Sequence, residues 1–164
     1  MTEPFEARIR RLEDIEAIRR LKVQYFDACD GGFGGIASHE PEAIAATFAE
    51  DGTWDGGPYG ARTGRSDIAA FYEGIEQGLA YAMLSEPVID VDGDRATGRW
   101  NILVYSTSAQ HGSLLVGGVH HDDYVRTPAG WKIARTRFVR AMAAPAPTPW
   151  NPPAEGAEES GVSP

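Results

Sequence analysis

Cysteine is almost missing from this chain. Cys29 is the only one in 164 residues, so no disulfide can close within the chain and no thiolate cage can hold a metal. Basic residues are the minority, 15 Lys and Arg against 24 Asp and Glu, and the formal net charge of -9 repels phosphate backbones and anionic membrane surfaces alike. Nucleic acid is therefore not an expected partner. No stretch approaches the roughly 20 consecutive apolar residues of a membrane span. Met1 to Arg20 is dense in Arg and Glu, with no apolar run of the signal-peptide kind, and a cytoplasmic protein is the expectation. A nucleotide fingerprint is lacking too, because Gly56-Gly57-Pro58-Tyr59-Gly60 has neither the spacing nor the strand–turn–helix context of one.

What is present is a large apolar fraction, 42% with 10% aromatics, enough for the core of one domain with room for a cavity. From Phe5 to about Cys29, Ile9, Leu12, Ile15, Ile18, Leu21, Tyr25 and Ala28 recur every three or four residues, the stripe of a long amphipathic helix. Asp30 is followed by four glycines in five positions, which end the helix and open a loop. Pro41 suits the first turn of a second helix carrying Ile44, Ala45, Phe48 and Ala49, closing at Glu50-Asp51-Gly52. Thr53 to Asp55 reads as a brief strand. Ser66 is positioned to cap a third helix with Ile68, Phe71, Tyr72 and Ile75, stopping near Gly78.

The remainder is strand-like: Pro87 to Val91, Arg95 to Thr107, Leu114 to Arg126 and Trp131 to Met142, separated by turn residues. Three helices followed by an antiparallel meander predict an α+β domain, with the helices packed on one face of a curved sheet. It should span residues 1–142, and the Pro, Ala, Gly and Glu-rich residues 143–164 form a disordered tail.

Strand alternation sets Gly118, His120, Asp122 and Tyr124 on one face of their strand, and Val119, His121, Asp123 and Val125 on the other. The run His120-His121-Asp122-Asp123 is thereby split into one His/Asp pair per side, and no metal is expected. Trp100, Ile102 and Val104 share a second inward set. Tyr105 has the opposite parity. His39 and His111 fall in loops and read as solvated.

Leu12 to Ile18, the Tyr25 to Asp30 spacing, Ala96 to Trp100, Gly117-Gly118 ahead of His120 and Asp122, and Trp131 to Arg140 together resemble the SnoaL-like branch of the NTF2-like superfamily. That branch includes the bile acid 7α-dehydratases, and the chain is similar more loosely to hexachlorocyclohexane dehydrochlorinases and scytalone dehydratases. The resemblance covers most of Phe5 to Met142 and implies a cone-shaped, cystatin-like fold around an apolar pocket.

It also implies a site. The tyrosine and aspartate that bile acid dehydratases use at the end of the first helix match Tyr25 and Asp30, and their last-strand arginine matches Arg140. Their histidine falls on Ala82 and their strand aspartate on Val104. Neutral imidazole is the convenient base for a carbon-bound proton near pH 7, so with Ala82 in its place either another group takes the role, His120 being the most obvious substitute, or the reaction needs no such base, or the site only binds. Each residue has a plainer reading as well. Tyr25 can be a core tyrosine with one hydrogen bond, Asp30 a helix terminator, His120 a strand residue bonded to Asp122, and Arg140 a surface charge. Trp54, Trp100, Val104, Tyr105 and Asp122 are the candidate substrate-binding wall.

The expected activity is that of a cofactor-independent lyase acting on a small hydroxylated aromatic or polycyclic substrate. Elimination of water comes first, with retro-aldol carbon–carbon cleavage beside it. A non-catalytic binding or dimerisation module and a SnoaL-type cyclase or isomerase are the alternatives. The open face of such a sheet predicts a homodimer or homotrimer.

Overall fold

The computed structural model describes residues 4–30, 40–75, 79–108 and 112–146, apart from the side chains of Asp30, Leu79 and Ser108. The glycine loop after Asp30, His39, Gly78, His111 and the predicted tail from residue 147 onward lie outside the described residues. Ten elements follow in order: α1 (Phe5–Asp30), α2 (Pro41–Ala46), β1 (Phe48–Asp55), a 3-10 turn (Gly57–Tyr59), β2 (Ala61–Thr63), α3 (Arg65–Glu73), β3 (Leu79–Asp92), β4 (Arg95–Ser108), β5 (Gly112–Thr127) and β6 (Gly130–Pro145).

The six strands form one sheet in the order β2-β1-β6-β5-β4-β3. Every pairing is antiparallel except β1 with β6. The three helices pack on one face of this mixed, mostly antiparallel sheet, as the order of helical and strand-like segments predicts. Their common core contains Ile18, Leu21, Tyr25, Ile44, Phe48, Ile68, Tyr72, Trp131 and Ile133.

At about 1.5 Å per residue, the 26 residues of α1 reach about 39 Å. Only part of that length has sheet beneath it. Asp14, Ile18, Leu21, Lys22, Tyr25 and Ala28 are buried, whereas Phe5 and, of the predicted stripe, Ile9 and Leu12 are exposed.

The second helix is only six residues long and ends at Ala46. Phe48 and Ala49, expected to extend it, instead begin β1: Phe48 pairs with Ile133, and the Ile133 amide donates to the Thr47 carbonyl at 3.0 Å. Pairing with a distant strand overrides the local helical spacing. The cap of α3 is also displaced. The residue before the helix is Gly64, held in the left-handed region at φ +86° with its amide on the Gly52 carbonyl, so Ser66 lies inside the first turn and the helix closes at Gly74 rather than Gly78.

β3 is longer than the Pro87–Val91 segment read from sequence. It runs from Leu79, with a break in register between Ser85 and Val88 that contains Glu86 at φ 51°. Proline has no amide to give a ladder, and it is tolerated here because β3 is an edge strand and Pro87 sits in the irregularity. β6 likewise runs past Met142 to Pro145.

Candidate functional site

The helix-facing side of β5 carries the alternation predicted for it: His120, Asp122 and Tyr124 are buried, and His121 and Asp123 are exposed. Opposite them, α1 presents Lys22 and Tyr25, which with Ile18 repeat at four and three residues and so share one stripe. Lys22 is fully buried. Its Nζ lies 2.6 Å from Asp122 Oδ2 and 2.9 Å from His120 Nδ1.

Asp122 is further held by neighbours on both sides. Thr136 of β6 donates to Oδ1 at 2.5 Å, and the Tyr124 hydroxyl donates to Oδ2 at 2.7 Å while accepting from Trp100 Nε1 at 3.0 Å. A carboxyl receiving the Lys22, Thr136 and Tyr124 donors is an ionised acceptor, and the buried lysine is its counter-charge. Burial pulls the Lys22 ammonium below its ordinary value, and Asp122 opposes that. Burial also lowers His120 well below the ordinary imidazole value, assisted by the nearby Lys22 and His121, so His120 is neutral at pH 7.

A second group adjoins the first. The Tyr25 hydroxyl is 2.8 Å from that of Tyr72 and accepts from Trp54 Nε1 at 3.0 Å. Burial raises both phenols well above their ordinary values, with the nearby Cys29 adding to the effect; both carry their protons at neutral pH. The two groups share an aromatic wall, with the His120 ring 6.4 Å from Tyr25, 5.6 Å from Phe26 and 5.5 Å from Phe138. Phe26 also lines an apolar groove of about 610 Å3 between α1 and the β3–β4 pair, together with Val23, Leu84 and Ile102.

The structure thus brings Tyr25 and Trp54 together, and His120, Asp122 and Trp100 into the adjoining network. Val104 and Tyr105 are half-buried farther along β4, opposite Ala82 and Tyr81. Asp30 ends α1, and its side chain lies outside the described residues. Arg140 keeps the parity of Thr136 and Phe138 but is exposed, at the irregularity where β6 shifts register beside Gly117 and Gly118. Among the described residues, no group of three or more His, Cys, Asp and Glu is arranged to hold a metal ion, and no helix is long and apolar enough to cross a membrane.

Lys22 and Thr136 escaped the reading of the sequence. The signal for Lys22 was its position, four residues after Ile18 and three before Tyr25, on a stripe that otherwise holds core residues. Thr136 carried a weaker one, its parity within β6.

Against known proteins, the SnoaL-like domain matches residues 10–137. An uncharacterised protein of Mycobacterium tuberculosis is 29% identical over 139 residues, covering 77% of this chain and 85% of its own length. Among solved structures, an NTF2-like protein with a cystatin-like fold from Novosphingobium aromaticivorans superposes with a TM-score of 0.65 at 28% identity, covering 83% of this chain and 87% of that one. A protein of the same organism, provisionally named scytalone dehydratase, gives 0.72 at 25% identity over 90% and 97% of the two chains. A hexachlorocyclohexane dehydrochlorinase from Novosphingobium barchaimii gives 0.73 at 18% identity over 87% and 97%, a likeness of fold alone.

Proposed function

This chain belongs to the SnoaL-like domain family, and from that premise we propose that it is a cofactor-independent lyase, eliminating water from, or cleaving a carbon–carbon bond in, a small hydroxylated aromatic or polycyclic substrate. The observation that carries the reading is the juxtaposition of Tyr25 and His120, two buried proton-carrying groups on facing elements inside an aromatic wall. Similarity to the provisionally named scytalone dehydratase supports an elimination.

In this scheme the Tyr25 phenol, protonated at neutral pH and steadied by Trp54, donates to the departing oxygen. Asp30, at the end of the same helix, takes up the substrate proton, and His120 bonds a substrate oxygen. Trp54 and Trp100 back the two groups, and Val104 and Tyr105 line the approach along β4. Arg140 is left for an anionic substituent at the open end of β6. Substrate enters through the groove beside α1, which requires Phe26 to turn away from His120. Tyr25→Phe and Asp30→Asn, assayed with a panel of phenolic and steroidal alcohols that the wild-type protein converts, should each abolish turnover with the circular dichroism spectrum retained. Full activity in both would end the assignment.

A non-catalytic binding module is the second reading. The observation favouring it is that Tyr25 is satisfied by Tyr72 and Trp54, and His120 Nδ1 by Lys22, without a substrate. In either case copies of the chain are proposed to associate through the outer sheet face, where Met83, Val88, Val139 and Met142 are exposed.

A further inference from the structure

The proton positions around His120 follow from counting donors. Asp122 is acceptor-only, and Thr136 has a single hydroxyl proton, which goes to Asp122 Oδ1 at 2.5 Å rather than to His120 Nδ1 at 3.2 Å. Lys22 has no acceptor capacity, so its 2.9 Å contact with His120 Nδ1 requires a lone pair on that nitrogen. The ring proton must then sit on Nε2. Among the described residues Nε2 has no hydrogen-bond partner, although His120 is only 6% exposed, and the rings of Tyr25, Phe26 and Phe138 surround it.

We infer that Lys22 is a positioning residue that, anchored by Asp122, locks His120 as the Nε2–H tautomer, so that the histidine offers substrate a hydrogen-bond donor and not a base. The class of ligand follows. The atom meeting Nε2 must be an acceptor, a carbonyl or hydroxyl oxygen on a flat apolar body. A protonated amine, or any other group that can only donate, is excluded there. The inference rests on the lyase reading only for what the donor is used for: it lets a developing oxyanion or a departing hydroxyl be stabilised at His120, while proton abstraction falls to another group. The tautomer itself is independent of any activity.

The test is nitrogen-15 NMR of the full chain labelled at histidine, with the His120 signals assigned by their loss in His120→Asn. The wild-type protein at pH 7 should show a protonated Nε2 and an unprotonated Nδ1. In Lys22→Met the donor to Nδ1 is lost, and the ring should turn over to the Nδ1–H form, donating to Asp122 or Thr136. Should that variant fail to fold with its carboxylate unpaired, Lys22→Met/Asp122→Asn removes both charges and should show the same change. An Nδ1–H or doubly protonated ring in the wild-type protein, or an unchanged Nε2–H form in every folded Lys22 variant, would overturn the inference. Absence of turnover with an intact Nε2–H signal would count against the lyase reading alone.

Discussion

At the scale of single residues, the buried group is a balance of charges that tolerates removal of both members better than removal of one. Asp122→Ala leaves the Lys22 ammonium without its counter-charge, and the expected loss of unfolding free energy is about 3–5 kcal/mol, measured by urea titration. The Lys22→Met/Asp122→Asn pair should lose much less. Tyr25→Phe removes the acceptor of the Trp54 indole, an unpaired buried donor costing about 1–3 kcal/mol, with a shift in tryptophan fluorescence as a local report. His120 sets a pH dependence whose sign can be fixed. Its folded value lies below its unfolded value of about 6.5, so the unfolded chain binds the extra proton first as pH falls. Stability is then full above about 6.5 and drops toward the folded value by at most ~1.4 kcal/mol per pH unit. His120→Asn should flatten that part of the profile. Much of this site was legible: the parity of β5 separates His120 and Asp122 from His121 and Asp123 without any structure. Lys22 was not, because a lysine on a helix is ordinarily solvated, and the partners that make its burial tolerable stand 98 and more residues away.

At the scale of elements, two ion pairs among the described residues tie α1 to the sheet. Lys22 makes one. Asp14 makes the other, accepting from Arg126 at 2.7 Å and from Trp131 Nε1 at 3.0 Å. Burial alone would raise the Asp14 carboxyl, but these donors hold it below its ordinary value. Their contribution is therefore complete above about pH 3.9 and is lost as pH falls through the lower folded value. Asp14→Asn should lower the urea midpoint at pH 7 by the equivalent of about 1–3 kcal/mol and remove that acid-side loss. Elements were read well from sequence where a period runs long, as in β4 and β5. They were read poorly where a partner decides. Phe48 and Ala49 continue the helical spacing of α2, yet the parallel pairing with β6 takes them. The extra length of β3 was hidden by Pro87, which an edge strand accommodates and an inner one would not.

At the scale of the whole molecule, the sheet has a helix-covered face and an open one. On the open face Met83 pairs across to Leu103, and Gly117 to Met142, giving an apolar band next to the charged rows of Arg99, Arg135 and Arg137. Val139→Asp or Met142→Glu should convert the homodimer or homotrimer proposed above to monomer in gel filtration, with the circular dichroism unchanged. A wild-type protein that elutes as monomer would remove the need for a partner on that face.

The distance along the chain between the two halves of the buried charge pair also bears on how the protein is made. Lys22 leaves the ribosome early and Asp122 late, with Thr136 later still. Throughout that interval the helix holds an ammonium that cannot be buried alone, and its stripe of Ile18, Leu21 and Tyr25 has no sheet to cover. Docking of α1 must therefore wait for the β5–β6 hairpin, which makes it a late folding event. Until then the nascent chain carries an amphipathic helix in search of a surface, the kind of segment that holding chaperones take up.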